Sequence, residues 1–433
     1  MQLNSSRRGF LRVCAAGTGV IAAGALAGTQ SRAVRAAPLA GYKRVVIINL
    51  IGGNDGLNTV FPSTGAAATN YAARRPGLAF NSGQGFALTG GPGVSDFRLH
   101  PALDTFQSIW NANDLAIIQK VGYPNANLSH FVSEDIWSTG TRNFNLPLGT
   151  PRGWIARYAN QHAATPTGVI SLGVGRRLDF DGATGNPLLM SSVSAFKYEN
   201  DSTYGDNHVF RLETYANMLA QQPATGLAGE VAAAKLAAHN AVQQMATALA
   251  NYNAAGPWAT YPTSTIPGNP FVGYLGRGLR DIAALIHEGF ATRLYYTAIP
   301  GGFDTHSGQE PRHTELLTDL DDSVAAFRSD LQAMGVWNDT VILVISEFGR
   351  RNYENGSDGT DHGHGNVVFA LGGAVTGGMY GDPVTGTDIN AEQQGYTTDF
   401  RDIYRHVLED HLGHSAAAVF PEAQPVTNPM NFV

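Results

Sequence analysis

Carboxylate and imidazole side chains follow three separate apolar runs of this chain, each time in a glycine-rich segment. The runs and the segments after them are 45–50 with Gly52-Gly53-Asn54-Asp55-Gly56, 294–299 with Gly301-Gly302-Phe303-Asp304-Thr305-His306, and 341–345 with Glu347-Phe348-Gly349-Arg350. Apolar runs of this length are typical of buried strands. Strands of an α/β fold deliver ligands to a site at their carboxyl ends, and carboxylate and imidazole groups bind divalent cations. The sequence therefore predicts a metal site assembled from distant segments.

The spacing of these side chains predicts which of them bind metal. Asp304 and His306 stand two residues apart, so in an extended segment both point to the same side and reach one ion. Glu347 follows a buried strand, where a carboxylate is costly unless it is paired or bound to metal. A salt bridge from Glu347 to Arg350 or Arg351 is the alternative.

Two further segments supply candidate ligands. In Asp361-His362-Gly363-His364 either histidine could bind metal, with Asp361 as a second ligand or as the partner that fixes the ring tautomer. Asp55 lies in a turn that its neighbouring glycines allow to be tight. An Asn-Asp-Gly turn without a ligand is the alternative for Asp55.

Ser129 and His130 are the candidate catalytic pair. They follow an expected strand at 115–121. A metal ion beside a serine oxygen lowers the hydroxyl pKa and makes the serine a nucleophile. Capping of a helix by Ser129 is the structural alternative.

Strands alternate with helices along the chain, which predicts an α/β fold with a mainly parallel sheet covered by helices on both faces. We expect a single domain over 37–433, with an inserted, partly helical cap region at about 176–270. A long loop is expected from the first strand to about residue 95. No later segment is long and apolar enough to span a membrane.

The first 36 residues are predicted to be a twin-arginine export signal, because Arg7 and Arg8 precede an apolar Ala/Gly-rich stretch. A general secretory signal is the alternative. The segment holds five arginines and no acid, so its removal takes the net charge from −7 to −12 and disfavours nucleic acid as a partner. Cys14, the only cysteine, is lost with it. We expect a periplasmic or secreted protein without thiol chemistry.

The motifs I-N-L-I-G-G-N-D-G-L-N, L-S-H-F, G-G-F-D-T-H, S-E-F-G-R and G-T-D-H-G-H-G occur in this order after the leader. The arrangement resembles a bacterial family of unknown function, DUF1501, placed in the alkaline-phosphatase-like superfamily. Carboxylate and imidazole ligands suit one or two divalent ions, which could be zinc, manganese, magnesium or calcium. The resemblance implies a three-layer sandwich in which two divalent ions help to hydrolyse or transfer phosphate or sulfate esters. It implies that Asp55 is the early acid ligand and that Ser129 is the nucleophile. Asp304, His306, Glu347 and His362 or His364 would supply the later ligands.

The chain departs from the superfamily pattern, because Phe348 stands where a histidine follows the second acid. An ordinary sulfatase is disfavoured, because the mature chain has no cysteine and no suitable serine motif for formylglycine. Two hypotheses follow. The first is an exported metal-dependent hydrolase of small-molecule or surface esters, in which Arg350 or Arg351 holds the substrate oxyanion. The second is a non-catalytic metal protein of the envelope on the same fold.

Overall fold

The computed structural model describes residues 37–90, 94–141, 146, 149–163, 165–175, 177–183, 187–196, 207–222, 225–422 and 430–433. The predicted export signal, with Arg7, Arg8 and Cys14, lies outside the described residues. Within them, no helix combines the length and the apolar character needed to cross a membrane.

A mixed, mostly parallel sheet forms the centre of the protein. The strands of the protein are β1 (Arg44–Leu50), β2 (Val60–Pro62), β3 (Phe86–Ala87), β4 (Phe97–Leu99), β5 (Leu115–Gly122), β6 (Val169–Leu172), β7 (Leu188–Met190), β8 (Leu294–Ile299), β9 (Thr340–Ile345), β10 (Asn366–Leu371), β11 (Gly378–Tyr380) and β12 (Thr398–Asp399). The order of the main sheet is β11-β5-β10-β9-β1-β8-β6-β7, with β12 also paired to β5. Only β10 runs antiparallel to its neighbours among these described strands. A small antiparallel sheet has the order β2-β4-β3.

Helices cover both faces of the main sheet. The helices are α1 (Gly56–Thr59), α2 (Gly65–Arg74), α3 (Asp104–Asn111), α4 (His130–Thr139), α5 (Trp154–His162), α6 (Asn207–Ala220), α7 (Gly226–Ala255), α8 (Tyr274–His287), α9 (Gln309–Ala333), α10 (Gly386–Asn390) and α11 (Phe400–His406), which continues into the π-helical turn Val407–His411. Helices α3, α8 and α9 contribute to the core on one face, and α4, α5 and α11 contribute to the core on the other. The predicted α/β fold with helices on both faces is confirmed.

The central strands alternate between these two cores. In β1, Val46 and Ile48 belong to one core, and Val45 and Ile47 belong to the other. Successive side chains of a strand point to opposite faces, so a strand that is apolar throughout is stable only between two covering layers. The continuous apolar runs of the sequence therefore correspond to the middle layer of a three-layer fold.

The segment expected to be one long loop before residue 95 is instead partly ordered. It contains α1, β2, α2 and β3, and β2 and β3 both pair with β4. These elements are too short to show a clear periodicity, which explains why the sequence did not reveal them. In the region at about 176–270, which the sequence predicts to be an insertion, β7 pairs with β6 at one edge of the main sheet, and α6 and α7 follow it.

The sheet topology brings the ends of several segments to one edge. Strand β1 lies between β8 and β9 and is parallel to both, so the three carboxyl ends meet there. Because β10 is antiparallel to β9, the beginning of β10 lies at the same edge. The segments at 51–55, 300–308, 346–351 and 359–365 are therefore neighbours, although more than 300 residues separate the first from the last.

Candidate metal centre

Backbone pairing fixes the loops at this edge relative to one another. The amide of Arg351 donates to the carbonyl oxygen of Asp361 at 2.9 Å, and the amide of Gly363 donates to that of Gly349 at 2.9 Å. Gly52 and Gly53, with φ of +118° and +73°, make the turn after β1. A Cβ at Gly52 would lie 2.7 Å from the Asp304 nitrogen, so only glycine allows the 304 loop to approach this closely.

Four side chains from two of these loops and from α4 converge at the sheet edge. The Oδ1 atom of Asp304 lies 3.3 Å from Nε2 of His130, 3.1 Å from Nε2 of His306 and 3.2 Å from Nε2 of His362. The Nε2 atoms of His306 and His362 lie 2.9 Å apart. Asp304 and His306 are each 45% exposed, so the cluster is open to solvent on one side.

The other nitrogen of each ring is bound to an acceptor. Nδ1 of His130 donates to Oε1 of Glu347 at 2.7 Å, and Nδ1 of His306 donates to Oδ1 of Asp361 at 3.0 Å. Nδ1 of His362 donates to the Leu128 carbonyl at 2.7 Å. A carbonyl oxygen and an ionised carboxylate can only accept, so all three rings carry their proton on Nδ1. In the neutral form of each ring, Nε2 therefore has a lone pair that points into the cluster.

This donor set fits a divalent cation. Two imidazole lone pairs facing each other at 2.9 Å repel unless a cation or a proton lies between them. Nε2 of His130 is buried without a hydrogen-bond partner in the described structure. Ligands at about 2.0–2.1 Å from a tetrahedral ion lie roughly 3.3 Å from one another. The ligand atoms of His130, Asp304 and His362 all lie within 4.8 Å of one another, and the separations of 3.2 and 3.3 Å from Asp304 are close to this value. His306 is not in this group, although its Nε2 lies 3.1 Å from Oδ1 of Asp304.

The electrostatics keep the carboxylates ionised. Burial raises the pKa of Asp304, but its hydrogen bond and ion pair with Arg350 outweigh burial and lower that pKa to about 2. The hydrogen bond from His306 lowers the pKa of Asp361. Burial lowers the pKa of His362, which favours the neutral ring that binds metal. For His130 burial acts in the same direction, but Glu347 and Asp304 outweigh it and raise the pKa.

Glu347 and Asp361, both predicted as ligands, lie behind the histidines. Glu347 has a side chain only 1% exposed, and its Oε1 accepts from the Gly52 amide at 2.9 Å as well as from His130. Asp361 also accepts from Asn355 at 3.2 Å. Carboxylates in this position fix the tautomer and orientation of a ligating ring. His130, which the sequence placed in a catalytic pair, thereby joins the candidate ligands.

Arg350 faces the protein interior. Its guanidinium is fully buried and donates to Asp304 at 2.7 Å, to Gly53 at 2.8 Å and to Thr360 at 3.0 Å. It also donates to the carbonyl oxygens of Gly52 and Phe303. These contacts use its N–H groups to hold the loops together. In this geometry the Arg350 guanidinium binds oxygen atoms of the protein itself, and its predicted role in holding a substrate oxyanion stays a prediction.

Asp55, predicted as an early metal ligand, lies outside the cluster. Its Oδ2 accepts from Arg75 at 2.5 Å and from Gln309 at 2.5 Å, and its Oδ1 accepts from the Asn58 amide at 3.3 Å at the start of α1. The side chains of Asp55 and Arg75 are both 0% exposed. The contact with Arg75 explains the position of the acid, but no local spacing links two residues twenty positions apart.

His364, the second histidine of its motif, is also outside the cluster. Its Nε2 accepts from the Tyr123 amide at 3.4 Å, and its ring contacts Tyr123 and Tyr396. Burial lowers its pKa. Of the two histidines that the sequence left open, the structure brings His362 to the other donors.

Ser129 immediately precedes α4, so it lies next to the candidate ligand His130. It is half-buried, and its side chain makes no capping hydrogen bond to the helix. Its amide donates to Oδ1 of Asn127 at 2.8 Å. The Ser129 hydroxyl therefore does not cap the helix through a hydrogen bond. Ser129 lies at the amino end of a ten-residue helix, where the helix dipole favours a developing negative charge.

We expect Asp55→Ala to destabilise the metal-free protein by about 3–5 kcal/mol, because it leaves the buried Arg75 charge without its partner. Chemical denaturation in the presence of a chelator measures this effect, with Asp382→Ala at an exposed position as the control. Burial raises the pKa of Asp55, but Arg75 outweighs burial and lowers it. The contribution of Asp55 should therefore be present at neutral pH and be lost as the pH falls through the lowered folded-state pKa. A variant as stable as the parent would contradict this role.

The fold and the site together define an α/β protein that has three imidazoles and one carboxylate at the edge of its sheet. The family model described as "Protein of unknown function (DUF1501)" matches residues 42–414, so the chain belongs to that family. No curated protein matches the chain.

Solved structures with a similar fold come from the alkaline phosphatase superfamily and from sulfatases. A superfamily protein from Vibrio parahaemolyticus is 8% identical, with 95% of this chain and 76% of that chain covered and a TM-score of 0.34. The sulfatase PsFucS1 from Pseudoalteromonas sp. is 10% identical, with 85% and 67% covered and a TM-score of 0.38. The phosphonate monoester hydrolase SpPMH from Silicibacter pomeroyi is 11% identical, with 88% and 77% covered and a TM-score of 0.31.

Proposed function

We propose that this protein is a metal-dependent hydrolase of phosphate or related oxyanion esters. His130, Asp304 and His362, whose ligand atoms all lie within 4.8 Å of one another, would hold one divalent ion, and His306 would complete its coordination. The observation that carries the proposal is the convergence of the Nε2 atoms of three histidines on Oδ1 of Asp304, at 3.1 to 3.3 Å. Without a cation or a proton between them, the Nε2 atoms of His306 and His362 would face each other unfavourably at 2.9 Å.

The donor set favours a particular group of metals. Three imidazole nitrogens with one carboxylate oxygen suit zinc and similar transition ions, whereas magnesium and calcium prefer oxygen ligands. The sequence left zinc, manganese, magnesium and calcium open, and the three imidazole nitrogens support zinc among them. When bound, such an ion polarises an ester oxygen and lowers the pKa of a nearby hydroxyl or water.

The residues of the chain supply the rest of the chemistry. Ser129 would attack the phosphorus atom while the ester oxygen leaves and takes up the serine proton as an alcohol. Water would then release phosphate and restore the serine. Glu347 and Asp361 keep His130 and His306 in the tautomer that binds metal. The exposed side of the cluster leaves access for an ester on a small molecule or on a surface.

A screen of metal-reconstituted protein against chromogenic phosphomonoesters, phosphodiesters and sulfate esters tests this function. We expect turnover of a phosphate ester in zinc-loaded or manganese-loaded protein and none after chelation. Absence of turnover with every ester and every metal loading would contradict hydrolase activity.

Removal of metal should also destabilise the fold. An ion at 1,000 times its dissociation constant stabilises the folded state by about 4 kcal/mol. Chelation is therefore expected to lower the melting temperature, and addition of zinc should restore it. An unchanged melting temperature in protein that elemental analysis shows to be free of metal would argue against the site.

A non-catalytic metal protein is the second candidate, and Phe348 favours it. The Phe348 ring is buried and lies 4.7 Å from the His130 ring and 4.9 Å from the His362 ring, between centroids. An apolar side chain thus packs beside the cluster, at the position where the superfamily pattern has a histidine. Metal binding without turnover in the ester screen would select this candidate.

Export by the twin-arginine route is part of the proposal, and it rests on Arg7 and Arg8. Because the candidate ligands come from distant segments, the metal would be bound after folding and before export. Replacing both arginines by lysine should leave unprocessed precursor in the cytoplasm. Continued export through the general secretory route would exclude this part of the proposal.

A further inference from the structure

The buried side chain of Gln309, the first residue of α9, joins three segments at the sheet edge. Its Nε2 donates to Oδ2 of Asp55 at 2.5 Å. Its Oε1 accepts from the hydroxyl of Thr305 at 3.0 Å and from the hydroxyl of Thr360 at 2.5 Å. Gln309, Thr305 and Thr360 are all at most 1% exposed. One amide group therefore links the turn after β1 to the two loops that carry most of the candidate ligands.

The two threonines are adjacent to the ligands. Thr305 lies between Asp304 and His306, and Thr360 precedes Asp361 and His362. The Thr360 amide also donates to the Thr305 carbonyl at 3.1 Å. A shift of either threonine would move a candidate ligand on the same loop.

Asp55 fixes the direction of the Gln309 amide. An ionised carboxylate only accepts, so the NH2 group must face Asp55 and the amide oxygen must face the two hydroxyls. Arg75 holds Asp55 in this state and also donates to the carbonyl oxygens of Arg351 at 2.6 Å and Asn352 at 3.1 Å. The pair thus reaches the loop that follows Glu347 as well.

We propose that Asp55 and Gln309 form a positioning clamp, which sets the distance between the 304–306 loop and the 360–362 loop and thereby the metal affinity. This assigns Asp55 an indirect role, because it acts through Gln309 and the threonines and not as a ligand. The inference rests on the proposed metal site. Groups that orient ligands typically change metal affinity by about 10–100-fold when they are removed.

Isosteric removal of the hydroxyls tests the clamp. Thr305→Val and Thr360→Val should each weaken zinc binding by about 10–100-fold, measured by competition with a chromophoric chelator. Thr305→Ser and Thr360→Ser keep the hydroxyl and should restore the affinity of the parent. Thr292→Val is the matched control, because it also removes a buried hydroxyl, which donates a hydrogen bond to the Thr167 carbonyl at 2.6 Å. Thr292 precedes the first residue of β8 and is therefore at the opposite end of that strand from the candidate ligands.

The cobalt spectrum separates positioning from general loss of stability. We expect the visible absorption of cobalt-substituted Thr360→Val to shift relative to the parent, because the angles between the ligands change. The spectrum of cobalt-substituted Thr292→Val should match that of the parent, even if this variant loses as much melting temperature as Thr360→Val does. Unchanged affinity and an unchanged spectrum in both threonine-to-valine variants would overturn the clamp.

Amide exchange tests the clamp without metal. In protein treated with a chelator, Gln309→Ala should speed hydrogen exchange at the backbone amides of residues 360 and 309. In the parent, the Thr360 amide donates to the Thr305 carbonyl at 3.1 Å, and the Gln309 amide donates to the Asp358 carbonyl at 2.8 Å. Faster exchange in a protein that binds no metal would refute the proposed function but retain the loop clamp. Equal exchange in Gln309→Ala and the parent would overturn the clamp, whether or not metal binds.

Discussion

Replacing Asp304 with alanine is expected to leave the purified protein without bound metal and to weaken zinc binding by more than about 100-fold, beyond the usual effect of a group that only orients ligands. Oδ1 of Asp304 lies within 3.3 Å of all three Nε2 atoms, so its removal takes away the one negative charge at their meeting point. The variant also leaves Arg350 buried beside the imidazoles without its carboxylate partner. Chelator competition measures the affinity.

Two further variants make this result specific. Asp304→Asn keeps an oxygen that can accept from Arg350 but removes the charge, so its metal affinity should fall between those of the parent and Asp304→Ala. Asp382→Ala removes an exposed carboxylate elsewhere and should leave binding unchanged. An Asp304→Ala protein that retains parental affinity would show that the four side chains do not form the metal site.

Ser129→Ala is expected to lower the turnover of a phosphate ester by on the order of 10³-fold or more, as loss of a nucleophile does in other serine hydrolases. Metal content and melting temperature should stay near those of the parent, because the serine side chain makes no capping bond and the four candidate ligands remain. Steady-state kinetics at matched metal loading give the comparison.

The controls for Ser129 separate chemistry from metal binding. His306→Ala should lose both metal and activity, since Nε2 of His306 faces Asp304 and His362. Ser63→Ala changes another half-buried serine and should behave like the parent. Equal turnover in Ser129→Ala and the parent would mean that water or another group is the nucleophile.

The sequence was sufficient to predict the fold because the central strands are apolar throughout. A strand that is apolar on both faces, such as β1 or β9, is expected in the middle layer of an α/β fold, between two layers of helices. The polar residues that follow such a strand then lie at the edge of the sheet. The same reasoning predicted Asp304, His306 and either His362 or His364 as ligands. Their motifs lie directly after a strand or directly before one, so the topology alone brings them together.

The roles that the sequence could not assign depend on contacts between distant segments. Asp55 and Glu347 are acids after strands like Asp304, and only the structure shows that their side chains contact Arg75 and His130. Gln309 has no motif of its own, because its amide acts through two threonines on different loops. Short elements such as α1 were missed for a different reason, since four residues do not establish a helical period.

Anomalous X-ray diffraction from a crystal of the zinc-reconstituted protein, recorded on both sides of the zinc absorption edge, tests the metal centre most directly. We predict one strong peak within about 2.0–2.2 Å of Nε2 of His130, His306 and His362 and of a carboxylate oxygen of Asp304. Asp55 and His364 should lie outside the coordination sphere. A peak bound by Asp55 or His364, or no peak at this cluster in protein with one zinc per chain, would contradict the account.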